Sequence, residues 1–326
     1  MPDSPYVSFI VPAWQAETTL AETLDSLAAQ ETSTPFEIIV VDDGSSDATR
    51  DQAEQWRDAH TLPVTIISIS HQGEAAAMNA GIQIARGERI AWVESDVRLD
   101  PRWLAILLEE LNEEGVVGAG GWLLPAPEDG GLAQIFGCEI ACKIYYQASN
   151  PIHLTSANVL YAKQVFDELG PCRTDLGVSS FDSEFNQRIV SRGYRLRCNL
   201  EAKAWHQFKP SLLDCLKRAW WYGAKRPEAR RQVLYPFDRV TALSVLGAGL
   251  LFLALACVGS FPKTACALAV ASLLSQVVYA GVIYWTISHP SLLAAPPIFG
   301  LRNVVFLAGY AWGWIKRIMN RSGNPA

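Results

Sequence analysis

The chain has 326 residues, half of them apolar, with 27 Lys and Arg against 33 Asp and Glu and a formal net charge of −6. That length allows one large domain with an appendage, or two modest domains. The charge is unevenly spread: residues 1–208 carry −16, residues 209–239 carry +5 and no acidic residue follows Asp238, so the acidic first part would repel a phosphate backbone, which argues against nucleic acid as a partner.

Val7–Val11, Glu37–Val41, Val64–Ser68 and Arg89–Val93 are short runs rich in β-branched residues, with helical patterns between them at Thr18–Ala29, Asp47–His60 and Glu74–Ala85. Alternating strand and helix predicts an α/β fold, a parallel sheet covered by helices on both faces, with ligands at the carboxyl ends of the strands. A helix over Trp103–Glu113 starts after Asp100-Pro101, and Val116–Gly120 resumes a strand. Residues 122–155 give a Pro/Gly/acidic loop and a mixed helical stretch. Ser156–His206 reads as a strand, a helix over Ala162–Leu169, an acidic loop and a second helix over Phe181–Arg192.

Two uncharged apolar runs follow, Val240–Ser260 and Thr264–Ile287, each reaching the ~20 residues that cross a bilayer. A third, Val304–Ile315, is bounded by Arg302 and Lys316-Arg317 and predicts an interfacial helix over about 302–318, with a third span as the alternative. Two spans would return the chain to the cytoplasm, where both basic segments belong. The basic stretch 209–239, with Trp220, Trp221 and Tyr222, predicts a segment lying on the anionic leaflet, or else a plain linker helix. The expected organisation is a soluble domain over 1–208, a basic interfacial linker over 209–239 and a membrane region over 240–326. The seven scattered cysteines give no disulfide framework, and no basic stretch with a long apolar core opens the chain, so no signal peptide is expected and the first domain should stay in the cytoplasm.

Three acidic groups stand out, the first two where an open sheet places its ligands. VVDDGSSD, residues 40–47, ends a strand in Asp42 and Asp43; such a carboxylate can accept a hydrogen bond from a base N–H, or simply close an Asx turn. WVESDVRLDP, residues 92–101, sets Glu94 and Asp96 on alternate residues around Ser95, hard oxygen ligands suited to Mg2+ or Mn2+, or a solvated turn. FDSEF, residues 181–185, puts Asp182 and Glu184 near a helix start, where an acid favours the helix dipole or acts as a general base.

In this order the elements resemble the family 2 glycosyltransferases of the GT-A fold, over residues 5 to about 208. VSFIVPAW is similar to the family's opening strand, with Pro12, Ala13 and the following Glu17 toward the nucleotide-sugar. VVDDGSSD resembles the nucleotide-contacting strand end, HQGEAAAMNAGIQIARGE the segment leading to the metal strand, ESD the DXD motif, SANVLYAKQVFDELG the segment after the acceptor region and FDSEFNQRIVSRGYRL the helix of the base. The resemblance implies that Asp42, Asp43, Glu94 and Ser95 line the nucleotide-sugar site. It also implies that Asp43 contacts the base, that Asp96 and His206 hold Mg2+ or Mn2+, and that Asp182 deprotonates an acceptor hydroxyl. Three positions depart from the pattern: Glu94 replaces the first Asp, Met78 stands where many relatives carry Arg, and Phe181 replaces a Glu before the base.

The same resemblance implies a GT-A (Rossmann-like) domain followed by a membrane helical region at the inner membrane, with the catalytic domain facing the cytoplasm. The reaction it implies is metal-dependent and inverting: a sugar moves from a nucleotide-sugar, UDP-sugar favoured, to a hydroxyl of a membrane lipid or glycan in cell-envelope synthesis. The alternatives are a polyprenyl-phosphate glycosyltransferase and a non-catalytic nucleotide-binding membrane protein. No Gly-x-Gly-x-x-Gly follows the first strand, which disfavours a dehydrogenase.

Overall fold

A computed structural model describes residues 6–176, 181–208, 211–225 and 261–322, with scattered positions between 244 and 259. The apolar run Val240–Ser260 and the part of the basic stretch beyond 225 therefore fall largely outside the described residues. The chain divides into two compact units. One comprises residues up to 127 with 144–207, the other residues 128–143 with 208 onward.

The first unit opens with β1 (Val7–Ala13), α1 (Leu20–Ala28), β2 (Phe36–Asp42), α2 (Thr49–Ala59), β3 (Val64–Ser68), α3 (Glu74–Ile84) and β4 (Arg89–Trp92). It continues with β5 (Val97–Leu99), α4 (Trp103–Glu110), β6 (Val116–Pro125), α5 (Gly131–Gln147), β7 (Val159–Ala162), α6 (Gln164–Leu169), α7 (Phe181–Ser191) and β8 (Arg195–His206). Of α5, residues 131–143 belong to the second unit and residues 144–147 to the first.

The eight strands form one sheet in the order β3-β2-β1-β4-β7-β6-β8-β5. The first four strands expected from the sequence are parallel neighbours. The sheet as a whole is mixed rather than parallel, because β7 runs antiparallel to both β4 and β6. A fully buried strand shows the same apolar run whichever way it points, so the pattern could not carry that direction. Every residue of β1 is buried, and successive side chains go to opposite faces. Phe9 meets Phe36 and Trp103 at ring distances of 5.3 and 6.1 Å. Ile10 faces α3 at Gly81, where a Cβ would lie 2.5 Å from the Ile10 side chain. Beyond Ile10 the same face is filled by Trp92, Tyr161, Phe166, Phe181 and Phe185, with the Phe166 and Phe185 rings stacked at 4.7 Å.

The three-residue β5 was not foreseen. It pairs antiparallel with the last residues of β8, Val97 opposite His206, so the turn after β4 is pinned against a residue far along the chain.

The second unit holds α8 (Leu212–Lys225), α9 (Pro262–Ile287), a 3-10 turn over Pro290–Ala294 and α10 (Ala295–Ser322). Helix α9 covers the second apolar run. Helix α10 is 28 residues long, far longer than the dozen uncharged residues after Arg302 suggest. Pro296 and Pro297 stand in its first turn, where the missing N–H groups would have no intrahelical partner, so they start the helix rather than break it. Two helical stretches among the described residues, Pro262–Ile287 and Pro290–Met319, are long and apolar enough to cross a membrane. Helices α8 and α10 touch backbone to backbone: a Cβ on Gly223 would lie 2.1 Å from the Phe306 carbonyl, and one on Gly309 would lie 2.2 Å from that of Trp220.

Candidate active site

Strands β1 and β2 end side by side, Ala13 opposite Asp42, and the Asp43 N–H donates to the Ala13 carbonyl at 2.8 Å. The Asp42 carboxylate accepts from the Ser45 N–H at 2.9 Å and the Ser68 hydroxyl at 3.1 Å, closing a turn in which Gly44 takes φ +70°. Asp43 is buried and accepts from the Gln72 and Gly73 N–H groups, each at 2.8 Å, and lies 2.9 Å from His71 Nδ1. These two carboxylates thus hold the loops at the strand ends. The exposed Trp14 ring stacks on His71 at 4.6 Å, leaving an aromatic face beside Asp43. Pro12 is buried in β1, and Glu17 accepts from the Ala48 N–H at 3.0 Å just ahead of α2.

The second group forms where β4 ends. The Val97 N–H bonds back to the Glu94 carbonyl at 3.1 Å, making the tight turn that carries Glu94, Ser95 and Asp96 into β5. The Gln207 N–H donates to the Asp96 carbonyl at 2.9 Å, completing the β5–β8 ladder and setting His206 against the turn. His206 Nε2 lies 3.2 Å from an Asp96 oxygen and 3.7 Å from a Glu94 oxygen. One ligand atom from each of the three residues falls within 4.8 Å of the others. Two carboxylates and an imidazole make a donor set that suits Mg2+ or Mn2+, so the residues fit the cation. Ser95 is half-buried in the turn between them.

The third group joins this one. The Ser156 hydroxyl donates to Glu94 at 3.0 Å. Glu74, in the first turn of α3 and next to the Gly73 that Asp43 holds, adds a further carboxyl, one oxygen of which is buried without a hydrogen-bond partner. Burial, then the charges of Glu94 and Asp182, push the Glu74 carboxyl well above the usual carboxylate range. Burial also raises Glu94, with Asp96 adding to the effect and His206 opposing it. Asp182 lies in the first turn of α7, buried, with one oxygen accepting from the Ser183 N–H at 2.6 Å and the other 3.5 Å from His153 Nε2.

Glu94, Asp96 and His206 therefore converge, with Asp182 close enough to act on Glu74 and Glu94. Glu17, Asp42 and Asp43 lie apart from that group and hold the strand-end loops. Glu74, His153 and Ser156 were missed. The acid of Glu74 opens a helical pattern, where a favourable dipole already accounts for it, and His153 lies in a stretch without periodicity.

A mixed α/β sheet with paired acids at two strand ends, and an acid-bearing helix beside the second, is the architecture of a GT-A glycosyltransferase. Known proteins agree with it. Residues 8–160 match the family described as Glycosyl transferase family 2. Those residues thus form a family 2 glycosyltransferase domain, and the protein is a glycosyltransferase that transfers sugar from a nucleotide-sugar donor. Over 261 residues it is 24% identical to the glycosyltransferase AglE of Haloferax volcanii, covering 79% of this chain and 82% of AglE. It is 34% identical over 119 residues to a dodecaprenyl-phosphate galacturonate synthase of Rhizobium johnstonii, covering 36% of this chain and 35% of that protein. The structure of the mannosyltransferase PcManGT from Pyrobaculum calidifontis, in complex with GDP-Man and Mn2+, shares the fold. Its TM-score is 0.59 at 19% identity, covering 98% of this chain and 89% of PcManGT.

Proposed function

We propose that the protein is a membrane-anchored, metal-dependent, inverting glycosyltransferase that moves a sugar to a hydroxyl acceptor in cell-envelope glycan or glycolipid synthesis. The observation that carries this reading is the convergence of Glu94, Asp96 and His206 beside Asp182. A divalent cation held by those three residues would neutralise the charge of the leaving nucleoside diphosphate. Asp182 takes the proton of the acceptor hydroxyl, and in-line attack on the anomeric carbon inverts its configuration. The Trp14 and His71 rings offer the nucleobase a stacking face beside the end of β2. The two long apolar helices support a membrane anchor, and the basic stretch 209–239 of the sequence supports contact with an anionic leaflet.

The test is a panel of UDP- and GDP-sugars with membrane lipid extract as acceptor, run with and without Mn2+. Asp96→Ala is expected to lose almost all turnover. Full metal-dependent activity in that variant would sink the site assignment.

One observation favours a second reading. The galacturonate synthase relative carries a polyprenyl-phosphate in its name, and an acceptor of that kind arrives already ionised and needs no base. Asp182→Asn separates the two readings. A loss of about 10²- to 10⁴-fold supports deprotonation by Asp182, and full turnover onto lipid phosphate supports the phosphate acceptor.

A further inference from the structure

We infer that His153 is the positioning residue for Asp182, holding through Nε2 the carboxylate that takes the proton of the acceptor. The inference rests on the reading of Asp182 as the base. Where the family pattern has a Glu, Phe181 is turned into the core, 1% exposed, with its ring 6.0 Å from Trp92. Phe181 fixes the start of α7 by packing and leaves Asp182 without an acidic neighbour on the chain before it. His153 comes from the loop ahead of β7 instead. Its Nε2 lies 3.5 Å from Asp182 Oδ2, and its Nδ1 lies 3.5 Å from the Ser183 hydroxyl.

That loop is clamped to α7 by one buried amide. Asn186 Nδ2 donates to the Leu154 carbonyl at 2.9 Å and to the Asp182 carbonyl at 2.7 Å, and its oxygen accepts from the Tyr161 hydroxyl at 3.0 Å. Leu154 follows His153 directly and is itself buried, so the imidazole is delivered to Asp182 by a rigid support. Among the described residues, other ionisable groups that feel Asp182 include Glu74 from α3, Glu94 from the turn after β4, Tyr161 from β7 and Cys172 from the loop after α6. Two of them are carboxyls, so a donor to Asp182 offsets their field. With its proton on Nε2, the imidazole would direct that N–H toward Oδ2 and leave Nδ1 to accept from Ser183, the arrangement by which an imidazole and a carboxylate orient one another.

In the step itself the acceptor O–H bond breaks and its proton passes to Asp182. The oxygen's electron pair forms the bond to the anomeric carbon, and the bond from that carbon to the diphosphate oxygen breaks with its pair leaving on the diphosphate. His153 keeps its own proton throughout.

The experiment compares His153→Leu, His153→Gln and Asp182→Asn in the full-length, detergent-purified chain, using the active nucleotide-sugar of the panel and membrane lipid extract. Binding of the matching nucleoside diphosphate with Mn2+ reports that the donor pocket is intact. His153→Leu is expected to lower kcat by about 10- to 100-fold, the range of one hydrogen bond to a charged group, with nucleoside diphosphate binding unchanged. His153→Gln, which keeps an N–H donor at the same reach, is expected to recover most of that loss. Turnover within about twofold of wild type in His153→Leu, against the loss expected of such a bond, overturns the inference. So does failure of His153→Gln to recover, or a loss in His153→Leu matched by lost nucleotide binding. If Asp182→Asn keeps full turnover, the base reading fails and His153 with it. If Asp182→Asn is inactive while His153→Leu is unaffected, only the role of His153 fails.

Discussion

Glu74 shows what the site costs the fold. Its carboxyl is raised by burial and by Glu94 and Asp182, so folding must keep a proton on it at a pH where the unfolded chain releases one. A folded value above the ordinary 4.5 gives a contribution that is most favourable below that value and is lost as pH rises toward the folded one. Glu74→Gln carries no such proton, so its melting temperature in EDTA should exceed that of wild type at about pH 8. The gap should close as the pH falls below about 4.5. A difference of about 1 kcal/mol corresponds to about 2–4 °C for a unit of this size, and thermal unfolding at the two pH values measures it. An equal shift at both would place the effect in packing rather than in charge.

At the scale of the elements, contact between helices α8 and α10 depends on Gly223 and Gly309. With a Cβ at either position 2.1 or 2.2 Å from a carbonyl oxygen of the other helix, one backbone has to move. Gly309→Ala should therefore destabilise the helix pair by about 1–3 kcal/mol and speed proteolysis within α8. Gly281→Ala, in α9 with nothing within 4 Å of its Cβ, should be neutral by the same measurements. Elements of this kind were only partly legible in the sequence. The parallel strands β1 to β4 and helices α1 to α4 could be read from apolar period, and the three acidic strand or helix ends from their position in that pattern. Strand β5 could not, because three residues carry no period and its pairing with β8 lies far along the chain. The start of α10 was hidden because Pro296-Pro297 reads as a break when only the chain around it is considered. His153 was illegible for a similar reason: what brings it to Asp182 is Asn186, a polar side chain whose partners are set by tertiary structure alone.

At the scale of the whole molecule, the chain separates its charges, acidic to residue 208 and basic after it, yet the second unit buries an ion pair of its own. Glu139 of α5 receives hydrogen bonds from Arg302 of α10 and Tyr279 of α9, and Lys143 lies 3.1 Å away. Burial works to raise the Glu139 carboxyl, but Arg302, Lys143 and those hydrogen bonds outweigh it and bring it down to about 2. A lowered value contributes stability that is present above the ordinary carboxylate value and is lost as pH falls toward about 2, so at neutral pH the pair is fully ionised. Removing one member of a buried pair strands the other charge, at a cost of about 3–5 kcal/mol, whereas replacing both with apolar groups of similar volume is often close to neutral. Arg302→Met should therefore lower the thermal stability of the detergent-purified chain more than the double substitution Glu139→Met/Arg302→Met does. Lys143, about a third exposed, can turn to solvent when Glu139 is gone and does not add a second stranded charge. If the double variant is instead the less stable of the two, the ion pair adds net stability to the packing of α5 on α9 and α10, and the two apolar helices depend on it to stay together.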